Sequence, residues 1–287
     1  MGAEDSYLFE DDGLILPPVG AWTREKHQKV AYYSSLFSTS MKNAWDCRVY
    51  VELFAGAGKS RIRETDEVIP GSPLLALGMT DPYDKYVFCE HNPEHMAALQ
   101  ARIGHQFADR DVTYVAGDVN DSVDRLLATL PQFSKDYRGL TLCFVDPYKM
   151  SQLSFSTMSQ LAASLYVDFL VLVPTYMDIH RNLPTYARRD CPTLDNYLGT
   201  DRWRAKWDDM TRRKSDFGLF VADELGLQMK TMGFLYDGIG DFELVRMGSD
   251  NHLPLYHLAF FSKSALGLRF WRETRKNTSQ PRLFPLD

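Results

Sequence analysis

Four strings in this sequence place glycines or acids at the end of an apolar, β-branched run, where a loop leaving a strand can meet a ligand. In Val49-Tyr50-Val51-Glu52-Leu53-Phe54-Ala55-Gly56-Ala57-Gly58, a strand runs into a Gly-x-Gly turn. Glycines there let the backbone bend sharply and approach a ligand where a Cβ would clash. Glu52, Phe54, Ala55, Gly56 and Gly58 are therefore expected to line a cofactor loop. Phe88-Cys89-Glu90-His91-Asn92-Pro93 sets Glu90, with His91 beside it, where a carboxylate can accept both hydroxyls of a ribose. Ala116-Gly117-Asp118-Val119 offers the Asp118 carboxylate to an adenine amino group and the Val119 amide to the ring. Phe144-Val145-Asp146-Pro147-Tyr148 holds the catalytic candidates. The Asp146 carboxylate and a carbonyl held by Pro147 can accept hydrogen bonds from a planar NH2 group, while Tyr148 stacks on the base that carries it.

Each string also has a plainer use. Gly56-x-Gly58 can be an ordinary strand-to-helix turn, Glu90 can cap the following helix, Gly117-Asp118 can be a turn, and Asp146-Pro147 can simply end a strand. A rival reading comes from Ala57-Gly58-Lys59-Ser60, which looks like the end of a phosphate-binding loop. That motif needs a glycine five residues before Gly58, where Leu53 stands, and its wrapping residues are strand here. Glu90 lies 32 residues beyond Gly58, later than the roughly 20 usual in dinucleotide folds. The insertion RIRETDEVIPGSPLLALG accounts for the excess.

The elements that must position these residues follow in alternation. Residues 1–22 read as an extended lead-in carrying Pro17 and Pro18, after which Thr23 caps a helix running to Met41. Strands are expected at Arg48–Phe54, Tyr86–Glu90, Val112–Ala116, Leu140–Val145 and Val167–Val173. Helices open at Ser72-Pro73, Asn92-Pro93, Asn120 and Ser156, where Ser or Asn before Pro or an acid supplies cap chemistry. Five strands each followed by a helix specify a parallel sheet covered on both faces. Residues 175–232 are polar, basic and aromatic, and read as a helical insertion. Phe242–Met247 and Leu255–Ser262, joined by GSDNHLP, should pair antiparallel, and SALGLRFWRETRK closes the chain as a helix. Residues 23–287 thus read as one α/β domain.

A mostly parallel, seven-stranded sheet ending in an antiparallel pair resembles the class I, Rossmann-like methyltransferases. They seat the methionine part of S-adenosylmethionine on the glycine turn. Those acting on amino groups carry Asp-Pro-Pro-Tyr or Asn-Pro-Pro-Tyr where this chain has Asp146-Pro147-Tyr148. The missing proline shifts Tyr148 and the carbonyl by one residue. The ordered motifs are more specific. Val19-Gly20-x-Trp22, Glu25-Lys26, Glu52-Leu53-Phe54-Ala55-Gly56-x-Gly58 and Gly71-Ser72-Pro73-x-x-Ala76-Leu77 are followed by Glu90-x-Asn92-Pro93, Gly117-Asp118 and Val145-Asp146-Pro147-Tyr148. Then come His180-Arg181-Asn182-Leu183, Leu194-Asp195-x-x-Leu198-Gly199-Thr200-x-x-Trp203 and Ser262-Lys263-x-x-Leu266-Gly267. In this order they resemble the three-Cys-motif partner proteins of bacteria and phages. That resemblance implies a methyltransferase-like fold, S-adenosylmethionine as cofactor, and partnership with a cysteine-rich, radical-type protein that owns the cysteines of the name.

Residues 187–214 hold eight basic residues against five acids, net +3, and Trp203 and Trp207 share one helix face. Basic groups interleaved with aromatics suit a phosphate backbone and stacked bases. Arg188, Trp203, Arg204 and, soon after the fifth strand, Arg181 are therefore the substrate-side candidates, and an amino nitrogen of a nucleic-acid base is the expected acceptor. Against this stand a solvated helix with both tryptophans packed on the core, and a salt bridge from Arg181 to Asp178. The net charge of −6 also fits a small-molecule or protein acceptor, and a non-catalytic cofactor-binding partner is a further alternative. The composition is ordinary and globular, with 45% hydrophobic and 24% charged residues and no run of 18 apolar ones, so no membrane span is expected. The acidic N-terminus lacks the apolar stretch of a signal peptide. Four scattered cysteines and seven histidines without ligand-like spacing give no expectation of a disulfide framework or a metal, and suit a reducing cytoplasm.

Overall fold

Runs of β-branched and aromatic residues buried at every position, such as Cys47–Glu52 and Val167–Val173, become the inner strands of a sheet covered on both faces. The computed structural model describes residues 9–211, 216–247 and 253–277. The chain divides into two units, residues 1–144 with 269–287, and residues 145–268.

In the first unit, β1 (Pro18–Val19) precedes α1 (Trp22–Met41). Thr23 does not cap this helix. It lies inside it, because its amide already closes a turn on the Gly20 carbonyl (3.0 Å) and Ala21 holds the capping position. β2 (Cys47–Glu52) leads into the glycine turn, followed by β3 (Lys59–Ile62) and β4 (Val68–Pro70). These last two pair antiparallel and join β1 in a separate three-stranded sheet. The insertion supplies β4 and the end of β3 to this small sheet, whose strands of two to four residues are too short to show a period in the sequence. α2 (Ser72–Leu77), β5 (Lys85–Glu90), α3 (Pro93–Gln106) and β6 (Val112–Ala116) follow. Asn92 caps α3 as expected, its Oδ1 accepting from the Glu94 and His95 amides. Asn120 does not open a helix. Asp118 accepts its amide and caps a single 3-10 turn, Val119–Asp121, so that α4 (Val123–Ala128) begins later. β7 (Gly139–Val145) ends this part.

The second unit carries α5 (Phe155–Ser164), β8 (Val167–Val173) and a π-helical turn, Thr175–Ile179. Among the described residues, four helices occupy the expected insertion: α6 (Leu183–Tyr186), α7 (Thr193–Leu198), α8 (Trp203–Thr211) and α9 (Phe217–Thr231). β9 (Glu243–Met247) and β10 (Leu253–Phe261) then pair antiparallel, Met247 opposite Leu253, and α10 (Ala265–Asn277) follows. The GSDNHLP turn falls mostly on residues 248–252, outside the described residues, as do Arg212, Arg213 and Lys214.

The strand order of the large sheet is β6-β5-β2-β7-β8-β10-β9, and β10 runs antiparallel to both of its neighbours. This is the Rossmann-like class I methyltransferase architecture: a seven-stranded, mostly parallel sheet with an antiparallel C-terminal pair. Among the described residues no helix is long and apolar enough to cross a membrane.

Candidate cofactor and acceptor sites

The glycine turn inherits its position from the sheet. Beyond β2 the ladder continues for three residues, the Leu53 amide donating to the Phe144 carbonyl (3.1 Å) and the Ala55 amide to the Cys89 carbonyl (2.9 Å). The backbone then breaks away at Gly56 and Gly58, whose φ angles of 66° and 83° are left-handed and favour glycine. The two glycines serve different ends. A Cβ on Gly58 would stand 2.9 Å from Leu99 Cδ1 on α3, so packing adds to the left-handed φ that favours glycine there. A Cβ on Gly56 would meet nothing within 4 Å, so the open face of the turn is at Gly56.

Glu90, at the end of β5, reaches across to this turn. Its Oε2 accepts the Gly56 amide at 2.7 Å and its Oε1 accepts the Asn92 amide at 2.8 Å. Site and cap are therefore one arrangement, since the same carboxylate ties the turn to the start of α3. An ionised carboxylate has about four acceptor positions, which leaves room for hydroxyl donors. His91 beside it is exposed. Glu52 is 1% exposed and accepts hydrogen bonds from the Tyr50 hydroxyl (3.1 Å) and the Ser72 hydroxyl. It sits beneath the turn and braces the start of α2, and burial beside it pushes the Tyr50 phenol well up. Phe54 is half-buried and Ala55 buried. After β6, Asp118 Oδ1 accepts from the Asn120 amide (2.8 Å) and side chain (3.0 Å), with Val119 buried beside it.

In the second unit the strand-end string ends in a half-buried Asp146, a buried Pro147 and Tyr148, which is 71% exposed. The stretch after Tyr148 is held by a residue the sequence singled out only as an ion-pair partner, Asp178. Its buried carboxylate accepts from the Met150 amide (2.9 Å), the Tyr186 hydroxyl (2.9 Å) and the Asn182 side chain (2.7 Å). This fastens the loop after β7 to the π-helical turn and α6. The signal was present in Asp178-x-x-x-Asn182, an acid one helical turn ahead of its amide partner. Arg181 makes no ion pair with Asp178; it is exposed, without a hydrogen-bond or ionic partner among the described residues.

Of the remaining substrate-side candidates, Trp203 and Arg204 are turned inward, while Arg188 is exposed. Trp203 is 1% exposed and Trp207 7%. Both pack against Phe217, at centroid distances of 6.1 and 4.6 Å, and Trp203 Nε1 donates to Asp195 Oδ1 at 2.7 Å. No face of Trp203 is open to a stacked base. Arg204 is turned inward as well, donating to the Arg188 and Cys191 carbonyls (2.9 and 2.8 Å) and to Asp195 (2.9 Å), with its guanidinium 4.5 Å from the Trp203 ring centroid. Arg188 is exposed and forks onto Asp190. Among the described residues no three His, Cys, Asp or Glu side chains form a group able to hold a metal ion.

No protein-family model matches the chain, and no curated protein matches it. Solved structures do. Protein LPL1258 from Legionella pneumophila aligns at TM-score 0.45 and 12% identity, over 88% of this chain and 92% of that one. Magnesium protoporphyrin IX methyltransferase from Synechocystis, with bound SAM, aligns at TM-score 0.40 and 11% identity, over 83% of this chain and 80% of that one. TYW2 from M. jannaschii, in complex with AdoMet, aligns at TM-score 0.39 and 11% identity, over 86% of this chain and 78% of that one.

Proposed function

We propose that this chain is an S-adenosylmethionine-dependent methyltransferase acting on an amino nitrogen. The observation that carries the reading is the turn at Gly56, left-handed, open on its Cβ side, and tied by its amide to Glu90 across the ends of two parallel strands. Ligands of open α/β sheets bind outside the carboxyl ends of the strands. In this reading Phe54, Ala55, Gly56 and Gly58 line the methionine end of the cofactor with Glu52 behind them. Glu90 and His91 take the ribose, and Asp118 with the Val119 amide takes the adenine. The bound cofactor supplies a methyl group on a sulfonium, and transfer from it needs alignment more than proton abstraction.

Asp146 and the backbone at Pro147 then orient the acceptor NH2, and the exposed ring of Tyr148 covers the base. A base in nucleic acid is the acceptor class we favour, because Arg181, Arg188, Arg189 and Arg202 all stand exposed in the same unit as Tyr148. The inward turn of Trp203 and Arg204, together with the overall charge of −6, favours a second reading, a small-molecule or protein acceptor. Affiliation with the three-Cys-motif partner proteins, and with it a cysteine-rich partner, rests on the ordered motifs from Leu16 to Gly267. Radiolabelled methyl transfer to DNA, RNA and total protein tests the proposal. Label is expected in nucleic acid and absent with Asp146→Ala. Label confined to protein or small molecules decides for the second reading, and binding without any transfer decides for a non-catalytic partner.

A further inference from the structure

Arg102, on α3, has its side chain fully buried, as does Lys59 at the start of β3, and both converge on Asp12, whose side chain is 8% exposed. The guanidinium forks onto Asp12, Nε to Oδ2 at 2.8 Å and Nη2 to Oδ1 at 2.7 Å. Lys59 Nζ lies 3.1 Å from the same carboxylate and donates to the Glu10 carbonyl at 3.1 Å. The third arm of the guanidinium, Nη1, donates to the Ile15 carbonyl and to the carbonyl of Ala57, the residue between the two glycines of the turn.

Two features make this more than an anchor. First, Asp11, Gly13, Leu14 and Ile15 are all exposed, and Phe9 and Leu16 on either side are only half-buried. Among these exposed residues the Asp12 side chain turns in, and the Arg102 hydrogen bonds beside it hold its carboxyl far below the usual range. Second, the carbonyl of Ala57 and the amide of Gly58 belong to one planar peptide and point in opposite directions. By drawing the carbonyl toward itself, Arg102 aims the Gly58 amide the other way. Gly58 is buried, yet its amide donates to nothing among the described residues. A buried backbone N–H without a partner is rare, and is normally satisfied by water or a ligand.

We propose that Asp12, Lys59 and Arg102 form a latch through which the N-terminal segment sets the cofactor turn, with Asp12 and Arg102 as positioning residues that aim the Gly58 amide at the cofactor. The latch rests on the reading that this turn holds S-adenosylmethionine. Removing the Asp12 charge leaves the buried Arg102 guanidinium without the carboxylate it forks onto, which frees both the segment and the Ala57–Gly58 peptide.

The test pairs calorimetric titration of S-adenosylmethionine with amide hydrogen exchange over residues 53–60, in the wild type, Asp12→Asn, Arg102→Lys and Asp11→Asn. Asp11 pairs with Arg61 at the surface and accepts the Gly13 amide at 2.9 Å, an acceptor role that asparagine keeps, and it serves as the control. Asp12→Asn is expected to weaken cofactor binding at least tenfold and to speed exchange of the turn in the cofactor-free protein. Arg102→Lys keeps the charge, loses the fork, and should fall between; it carries the test if Asp12→Asn does not fold. Asp11→Asn should match the wild type. A lowered melting temperature with affinity and turn exchange both unchanged overturns the latch and leaves a purely structural cluster. If the wild type itself binds no S-adenosylmethionine, the cofactor reading falls, and unchanged exchange in Asp12→Asn overturns the latch separately.

Discussion

The glycine turn of the first unit and the basic, aromatic segment of the second both look in the sequence like surfaces made for a ligand. In the structure the turn keeps its open face at Gly56, with the Gly56 amide and the Ala57 and Gly58 carbonyls each fastened from outside by Glu90, Arg102 and Gly71. The segment does the reverse. Trp203, Trp207 and Arg204 turn inward, and the exposed cations are the residues around them. Glycines and acids at strand ends are constrained by the backbone, and the sheet decides where they stand. Basic and aromatic content describes a helix without saying which side meets solvent. Here Phe217 and Phe220 on α9 supply the apolar surface that takes the two indoles.

The sharpest way to break this contrast is Trp203→Ala. Packing predicts a loss of about 4 kcal/mol in urea unfolding with any nucleic-acid affinity unchanged; the opposite pattern would restore Trp203 as a substrate contact. Next, Gly58→Ala should cost about 3 kcal/mol, combining a left-handed Cβ with the clash against Leu99. The second unit has its own pH signature. Burial raises the Asp168 carboxyl to about 7, with only a hydrogen bond from Ser262 opposing. The neutral acid is therefore favoured in the fold, its contribution is complete below pH 4, and it is lost as the pH rises through 7. Asp168→Asn should gain about 1–2 kcal/mol at pH 8 and nothing at pH 4, less than a full three-unit shift allows because the new amide also needs partners. A flat difference between the two pH values would contradict the burial argument. Gly56→Ala should cost only about 1 kcal/mol of stability yet weaken S-adenosylmethionine binding more than tenfold. Smallest of all, Arg188→Ala should leave the melting temperature unchanged. If nucleic acid is the substrate, it should also lower the salt slope of binding by about one.

Much of the fold was legible because its signals are periodic and long. Val112–Ala116 and Val167–Val173 stand where the sequence places them, and the antiparallel pair closes the sheet. Thr23 and Asn120 show where cap chemistry misleads. Each has the right residue type, but the Gly20 turn and the Asp118 carboxylate claim those amides first. In the candidate site, Glu90 was visible as an acid at a strand tip. Arg102 and Asp12 were not, since an ionic contact across 90 residues leaves no local pattern. The one trace is Arg102 itself, a charge on the helix face that buries Leu99 and Ile103.

The measurement that bears most directly on the central claim is the melting-temperature shift with S-adenosylmethionine and, separately, with Mg-ATP, in the wild type and in Glu90→Ala. A turn closed by Glu90 to hold S-adenosylmethionine predicts a saturable upward shift with that ligand, none with Mg-ATP, and loss of the shift in Glu90→Ala. No shift with S-adenosylmethionine, or a larger one with Mg-ATP, would contradict it.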